Sequence, residues 1–323
     1  MTSTIFTRRF EHSRYWFASV HPAALPRTVI DKLTYFVTLA REQSFRRAAE
    51  LCGVAQPTLS AGIKQLEDDL GVLLVLRRSR MLGLTPEGER VLIWARRLVA
   101  DARAMRQELQ DMRTGLSGHL RLAVIPTALA MMPMLTGPCL ARHPGLQFTI
   151  LSCGSDRVLE LLDNLEVDAG VTYLNNEGLG RVRTVPLYTE RYLLVTHVGG
   201  AFGAREQVRW AELDTLRLCL LTPDMQNRRI MDQLMRGAGV EPQAVMESDS
   251  QITLLAHVLT GQWATVLPES LAHALAVAPG LRRIPLVDPA ATYQIGLVFP
   301  DREPMSTLSA ALMTEARLLT RGR

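Results

Sequence analysis

Gln56, Thr58, Ser60, Lys64 and Gln65 crowd one short stretch of the chain, and their chemistry is recognition rather than bond breaking. Amide, hydroxyl and ammonium groups make the hydrogen bonds that meet base edges and phosphates. They interleave with Leu59, Ile63, Leu66 and Leu70, spaced by threes and fours, so a helix here has an apolar inner face and a polar outer one. Arg46 precedes this stretch, and Arg77, Arg78 and Arg80 follow it, placed to neutralise phosphates. A second set of groups lies further on: Pro126-Thr127-Ala128, Ser155, Thr172, Thr222 and Gln251. Hydroxyls beside helix N-termini suit a small anion, with a carboxylate the best fit. The sequence shows no G-x-S-x-G, no phosphate-cradling glycine loop and no metal-ligand spacing. An enzyme, a cofactor and a metal site are therefore not expected.

The elements that must position the first set are legible. Ile30, Leu33, Phe36, Val37 and Ala40 recur at helical spacing. Ser44 can cap a second helix whose buried side is Phe45, Ala48 and Ala49. Cys52-Gly53-Val54 makes a tight turn, with Gly53 suited to positive φ. Pro57 then sits in the first turn of the next helix, where its missing N–H has no intrahelical partner. This is helix-turn-helix spacing, which puts the second helix in the DNA major groove. Two short apolar strands around the arginines complete a β-hairpin wing.

Thr85-Pro86-Glu87 opens a long helix reaching about residue 116. Leu92, Ala95, Leu98, Ala102, Met105, Leu109, Met112 and Leu116 follow a period near 3.5, the seam of a coiled coil. A single helix could bury such a stripe against its own domain. Beside a DNA reader, a dimer through Leu92, Leu98, Ala102, Met105 and Leu109 is the stronger reading, because a two-fold dimer answers a palindromic operator.

After Gly115-Leu116-Ser117-Gly118 the pattern changes to short apolar runs alternating with helical ones. Strands are expected over 120–125, 147–152, 167–172, 191–196, 217–221, 264–267 and 293–299. Helices are expected over 131–142, 157–165, 225–238, 251–260 and 305–319. Such alternation gives mainly parallel sheets covered by helices. Ligands of open α/β sheets bind beyond the carboxyl ends of strands, which is where Thr127, Ser155 and Thr222 fall. Each is also an ordinary candidate for a helix cap.

The chain resembles the LysR-type transcriptional regulators. The resemblance rests on Ala48-Ala49, Leu51, Val54, Gln56-Pro57, Leu59-Ser60, Ile63, Leu66-Glu67, Leu70-Gly71, Leu74, Arg77 and Leu84-Thr85-Pro86-Glu87-Gly88. It continues more loosely over residues 29 to 317. It implies an α/β protein with an N-terminal winged helix-turn-helix, a long linker helix and a two-lobed, periplasmic-binding-protein-like effector domain. The boundaries expected are 1–28 for an extension, 29–86 for the DNA-binding domain, 87–118 for the linker and 119–323 for the effector domain. Lobe 1 would take about 119–187 and 288–323, and lobe 2 about 188–287. The implied function is a DNA-binding regulator, dimeric or tetrameric, switched by a small effector between the lobes. Thr127, Ser155 and Thr222 match the family's effector positions. RNA polymerase is a further partner of such regulators. There are departures: Ala55 stands where a capping Ser is usual, Val75 where Phe is usual, and Ala61-Gly62 where polar or basic DNA contacts are common. Trp263 stands where the family often has glycine.

Composition fits this reading. The 323 residues are 47% hydrophobic and 21% charged, enough for two or three cored domains. Residues 1–118 hold 18 Arg or Lys against 12 Asp or Glu, and the rest hold 18 against 20. The basic end is thus the nucleic-acid end. No apolar run reaches the ~18 residues of a membrane span, and Arg8-Arg9-Phe10 is not followed by an adequate apolar stretch. A cytoplasmic protein with a disordered extension over 1–28 is expected. A secreted solute-binding protein would share the lobes but not residues 29–116. The cysteines at 52, 139, 153 and 219 form no C-x-x-C and read as core thiols rather than an oxidant sensor.

Overall fold

The computed structural model describes residues 28–78, 81–175, 178–241, 243–275 and 278–321. The expectation of an extension over 1–28 lies outside them save for Thr28, and Arg80 lies outside them too. Two compact units meet in sequence between Arg106 and Gln107.

The first unit opens with α1 (Val29–Glu42), α2 (Phe45–Leu51) and α3 (Gln56–Leu70). Leu33, Phe36, Leu39, Ala48, Ala49, Leu59, Ile63 and Leu66 bury the inner faces of all three. The Ser44 side chain accepts from Arg47 N–H and caps α2, whereas Ala55 leaves α3 without a side-chain cap. Gly53 in the turn has φ +64°, a conformation that glycine adopts without steric cost. β1 (Val75–Arg78) and β2 (Met81–Leu84) pair antiparallel as the wing. Glu67 ties α3 to it by accepting from the N–H groups of Leu74 and Val75 at 2.9 and 3.1 Å. Thr85 caps α4 (Pro86–Thr114), its hydroxyl accepting from Gly88 N–H at 2.9 Å.

Two expectations for this unit are corrected. Gly62 does not lie on the outer face of α3: it is buried, and a Cβ there would meet the Tyr35 ring at 2.8 Å. Its lack of a side chain is a packing requirement and not a lost DNA contact. Leu92, only 5% exposed, packs with Ala95 and Val99 into the winged-helix core, so it is not free for a partner. The outward stripe of α4 is instead Trp94, Leu98, Met105, Leu109 and Met112, all exposed; Ala102 is half-buried. The helix presents two apolar stripes where the sequence period suggested one.

The second unit takes up the last turns of α4, whose Asp111 carboxylate accepts from Ser117 N–H at 3.3 Å. Lobe 1 is built from β3 (Ser117–Val124), α5 (Met132–Arg142), β4 (Gly145–Ser152), α6 (Ser155–Asp163), β5 (Ala169–Tyr173), β6 (Val182–Glu190), β13 (Tyr293–Pro300) and α10 (Thr307–Arg321). Lobe 2 holds β7 (Tyr192–His197), β8 (Val208–Arg209), β9 (Leu218–Leu221), α7 (Gln226–Gly237), β10 (Ala244–Ser248), α8 (Gln251–Leu259), β11 (Ala264–Pro268), α9 (Glu269–Leu275) and β12 (Leu281–Val287). Short 3-10 turns cover Pro126–Met131 and Trp210–Thr215. Lobe 1's sheet runs β4-β3-β5-β13-β6, and lobe 2's runs β10-β9-β11-β7-β12-β8.

Both sheets are mixed: lobe 1 has two parallel and two antiparallel pairings, and lobe 2 three parallel and two antiparallel. β13 pairs antiparallel with β5 and β6, and β7 antiparallel with β11 and β12. These are the strands by which the chain changes lobe. It crosses at Arg191, directly between β6 and β7, and returns between β12 and β13. The sequence pattern did not show β6 and β12, which carry Pro186 and Pro285 within them. Proline argues against a strand because it cannot donate to a ladder; β6 lies at the sheet edge, where this is tolerated.

Candidate ligand crevice and nucleic-acid face

The outer side of α3 carries exposed Gln56, Pro57 and Lys64, with Thr58 and Ser60 half-buried. Arg46 is exposed on α2. Arg77 and Arg78 fall on β1, in register with Leu82 and Met81. A solvated helix face with hydrogen-bonding side chains, next to a hairpin, has the form that reads a groove.

The second site is a crevice lined by residues of both lobes. β3 runs into Ile125, Pro126 and Thr127; β4 runs into Gly154 and Ser155; Tyr173 closes β5. From lobe 2 come Leu221, at the end of β9, and Met225, Gln226 and Asn227 at the start of α7. The N-caps of α6 and α7 are Gly154 and Met225, neither making a side-chain cap bond. Arg229 and Asp156, in the first turns of these helices, form an ion pair at 3.3 Å. Two helix N-termini, each the positive end of a dipole, therefore border one small space.

Polar atoms in that space lack partners among the described residues. Thr127 Oγ1, Ser155 Oγ, Gln226 Oε1 and Asn227 Oδ1 are all buried without a hydrogen bond. Their residues are only 1%, 2%, 8% and 4% exposed. A buried polar atom left unpaired costs about 1–3 kcal/mol. Four in one crevice describe a surface completed by something else. The reading of Thr127 and Ser155 as helix caps is thereby corrected: neither hydroxyl caps anything, in contrast to Ser250, which accepts from Thr253 N–H at the start of α8.

Behind the crevice lies a buried network. Tyr173 OH donates to Glu190 Oε1 at 2.9 Å, and Asn227 Nδ2 donates to the hydroxyls of Tyr173 and Tyr192 at 3.0 and 3.3 Å. Tyr293 packs edge-on against both tyrosine rings. Burial pushes the Glu190 carboxyl up to about 8, partly offset by the hydrogen bond from Tyr173. Burial, with Glu190 nearby, drives Tyr173 far above the usual tyrosine range, so it keeps its proton. Glu190, Tyr192 and Tyr293 flank the two points where the chain changes lobe.

Of the residues expected at the site, Pro126, Thr127 and Ser155 line the crevice; Ala128, Thr172, Thr222 and Gln251 do not. Ala128 is buried, its N–H bonded to Ile125 O. Thr172 points to the other side of β5 from Tyr173, as neighbours on a strand do. Thr222 follows Leu221 outside the lining, its carbonyl accepting from Met225 N–H, and the first turn of α7 supplies the polar groups of lobe 2. Gln251 is buried at the start of α8 with Nε2 unpartnered. Tyr173, Glu190, Gln226 and Asn227 were not anticipated. Gln226 and Asn227 had a signal, as polar residues in the first turn of a helix that follows a strand. Among the described residues no cluster of His, Cys, Asp and Glu could hold a metal, and no helix is long and apolar enough to cross a membrane.

Comparison with known proteins gives two family matches. Residues 30–89 match the bacterial regulatory helix-turn-helix of the lysR family, and residues 113–318 match the LysR substrate binding domain. The chain is 31% identical over 293 residues to the DNA-binding transcriptional dual regulator OxyR of Escherichia coli K12, covering 85% of this chain and 90% of that protein. It is 27% identical to the uncharacterized HTH-type regulator YfeR of Shigella flexneri, over 89% and 93% of the two chains. Among solved structures, full-length OxyR from Pseudomonas aeruginosa superposes with a TM-score of 0.73 at 28% identity, over 92% and 96% of the chains. CbnR complexed with its target DNA shares the fold, with a TM-score of 0.63 at 22% identity over 90% and 99%.

Proposed function

Because this chain belongs to the LysR-type DNA-binding transcriptional regulators, we propose how its own residues divide the work. The outer face of α3 reads an operator through Gln56, Thr58, Ser60 and Lys64, with Pro57 and Arg46 at its edge. The arginines at 77, 78 and 80 neutralise phosphates beside it. Leu98, Met105 and Leu109, with Ala102 beside them and Trp94 added, pair α4 with a second copy. The assembly is a homodimer or homotetramer on a palindromic site. It works in the cytoplasm, touches RNA polymerase as an activator or excludes it as a repressor, and performs no catalysis.

The switch is a small anion in the crevice, best a carboxylate. The observation that carries this is the set of unpartnered, buried hydroxyls of Thr127 and Ser155 beside two uncapped helix N-termini. Such an anion can shift the protein only by binding one arrangement of the lobes better than the other. A crevice walled by both lobes offers that difference. A solute-binding protein is disfavoured by the helix-turn-helix that the same chain carries.

Several relatives are hydrogen peroxide-inducible genes activators, but the cysteines here do not support thiol sensing. All four are free, none lines the crevice, and burial raises each thiol above its ordinary value. Cys219 lies within reach of the Leu254 and Ala264 carbonyls, as a buried core thiol does.

Gel-shift titration on DNA flanking the gene, with and without small carboxylates, tests the reading. Sequence-selective binding whose affinity or footprint changes with a carboxylate is expected. Equal affinity for all DNA, or selective binding that no carboxylate alters, overturns the corresponding half.

A further inference from the structure

Asn227 does more than fill the back of the crevice. A tyrosine hydroxyl has one proton, and Tyr173 gives its own to Glu190 Oε1. The Tyr173 oxygen can then only accept from Asn227, and only the amide nitrogen can donate. Nδ2 points to the Tyr173 and Tyr192 hydroxyls together, which spends both its protons. The amide is thereby locked against rotation. Its other atom, Oδ1, is left buried and without a partner among the described residues, on a side chain that lines the crevice. An amide oxygen is an acceptor only, so it cannot bind the carboxylate that the hydroxyls and helix N-termini favour. It needs an N–H or O–H from the occupant. The unpartnered hydroxyls and this acceptor sit on residues that line one crevice, so both groups are taken to belong to one small molecule.

We propose that the effector is a small carboxylate bearing a hydroxyl or ammonium group, and that Asn227 Oδ1 accepts that group's hydrogen bond, selecting hydroxy or amino acids over plain acids. This rests on the reading of the crevice as the anion-binding effector site. Thr127 and Ser155 would take the carboxylate end, and Asn227 the donor end.

Calorimetry on the full chain tests it with propionate, lactate, 3-hydroxypropionate, alanine and β-alanine, and with 1-propanol and propylamine as partners lacking the carboxylate. At least one hydroxy or amino acid should bind roughly tenfold or more tightly than propionate; hydroxyl against ammonium identifies which donor. Asn227→Leu should bring that ratio to about one, while Thr127→Val weakens both acids alike. Tyr173→Phe frees the amide to rotate, and should lower the ratio with Asn227 intact; it serves if the leucine variant does not fold. Propionate binding as tightly as every donor-bearing acid overturns the role of Asn227 and leaves the anion reading standing. Binding of the alcohol or amine, but of no acid, in an Asn227-dependent way overturns the anion reading and keeps Asn227 as the donor's partner. No binding by any of the seven overturns both.

Discussion

On α3 the side chains of Gln56 and Lys64 stand in solvent, whereas in the crevice the hydroxyls of Thr127 and Ser155 are shut away from it. Water satisfies the first pair whenever DNA is absent, so they cost the free protein nothing. The second pair carries the desolvation cost of an unmade hydrogen bond until a ligand arrives. The two proposed recognition surfaces are thus built on different terms. Mutations on α3 should change binding alone, and mutations in the crevice should move binding and stability in opposite directions.

The largest expected effect lies on a third surface, against which both can be measured. Leu98→Glu with Met105→Glu places charges on the exposed apolar stripe of α4. An unpaired charge buried at an interface is strongly unfavourable, so sedimentation should find monomers, still folded, with operator affinity lost. A double variant that stays dimeric would move the interface elsewhere.

Next comes Glu190, the extreme of the buried region. Its carboxyl stands at about 8 in the folded protein, against ~4.3 in an unfolded chain. Between those values the folded state holds a proton that the unfolded state has released. The stabilisation is complete below the unfolded value, falls as pH rises, and is gone above the folded value. The melting transition of the second unit should therefore drop between about pH 5 and 8, by on the order of a few kcal/mol. Glu190→Gln should flatten that slope. A pH-independent transition in the wild type would show the carboxyl to be ionised throughout.

Thr127→Val puts the comparison itself at stake. Loss of a hydrogen bond to a charged ligand should weaken effector binding by about 1.5–3 kcal/mol. Removing an orphaned hydroxyl should also raise the stability of the ligand-free protein, by roughly 1 kcal/mol. Calorimetry and thermal melts on one preparation read both. A variant that loses stability along with affinity would mean that the hydroxyl is satisfied in the free protein, and the contrast with α3 would collapse.

The α3 arm gives the smallest effects. Gln56→Ala should cost about 1–3 kcal/mol at the preferred operator and relax sequence preference there, with stability changed by no more than ~0.5 kcal/mol. Lys64→Ala should weaken all sequences nearly equally and lower the salt slope by about one. If Gln56→Ala unfolds the domain instead, the exposed face is structural.

These contrasts also explain what could be read without coordinates. Ala48, Ala49, Gly53, Pro57 and the Leu59–Ile63–Leu66 stripe specify α2, the turn and α3 through contacts within a few turns of chain, so periodicity and turn chemistry sufficed. Periodicity misassigned Leu92 and the family resemblance misassigned Gly62, because neither tells what a residue meets across the fold. Leu92 meets the winged-helix core, and Gly62 meets Tyr35. Thr127 and Ser155, with Pro126 beside them, were legible as hydroxyls where strands end; Thr222 follows Leu221 just outside the crevice lining.

By itself, the sequence determined the helix-turn-helix, the wing, the long helix and the alternating α/β pattern, since each depends on residues close together along the chain. Tertiary structure alone decided which way the crevice's polar atoms point. Asn227 meets Tyr173 across 54 positions and Tyr192 across 35, and Tyr173 meets Glu190 across 17. No local spacing encodes those meetings. They exist because β5, the β6–β7 crossing and α7 converge where the two lobes join, and there one buried amide oxygen is left without a partner among the described residues.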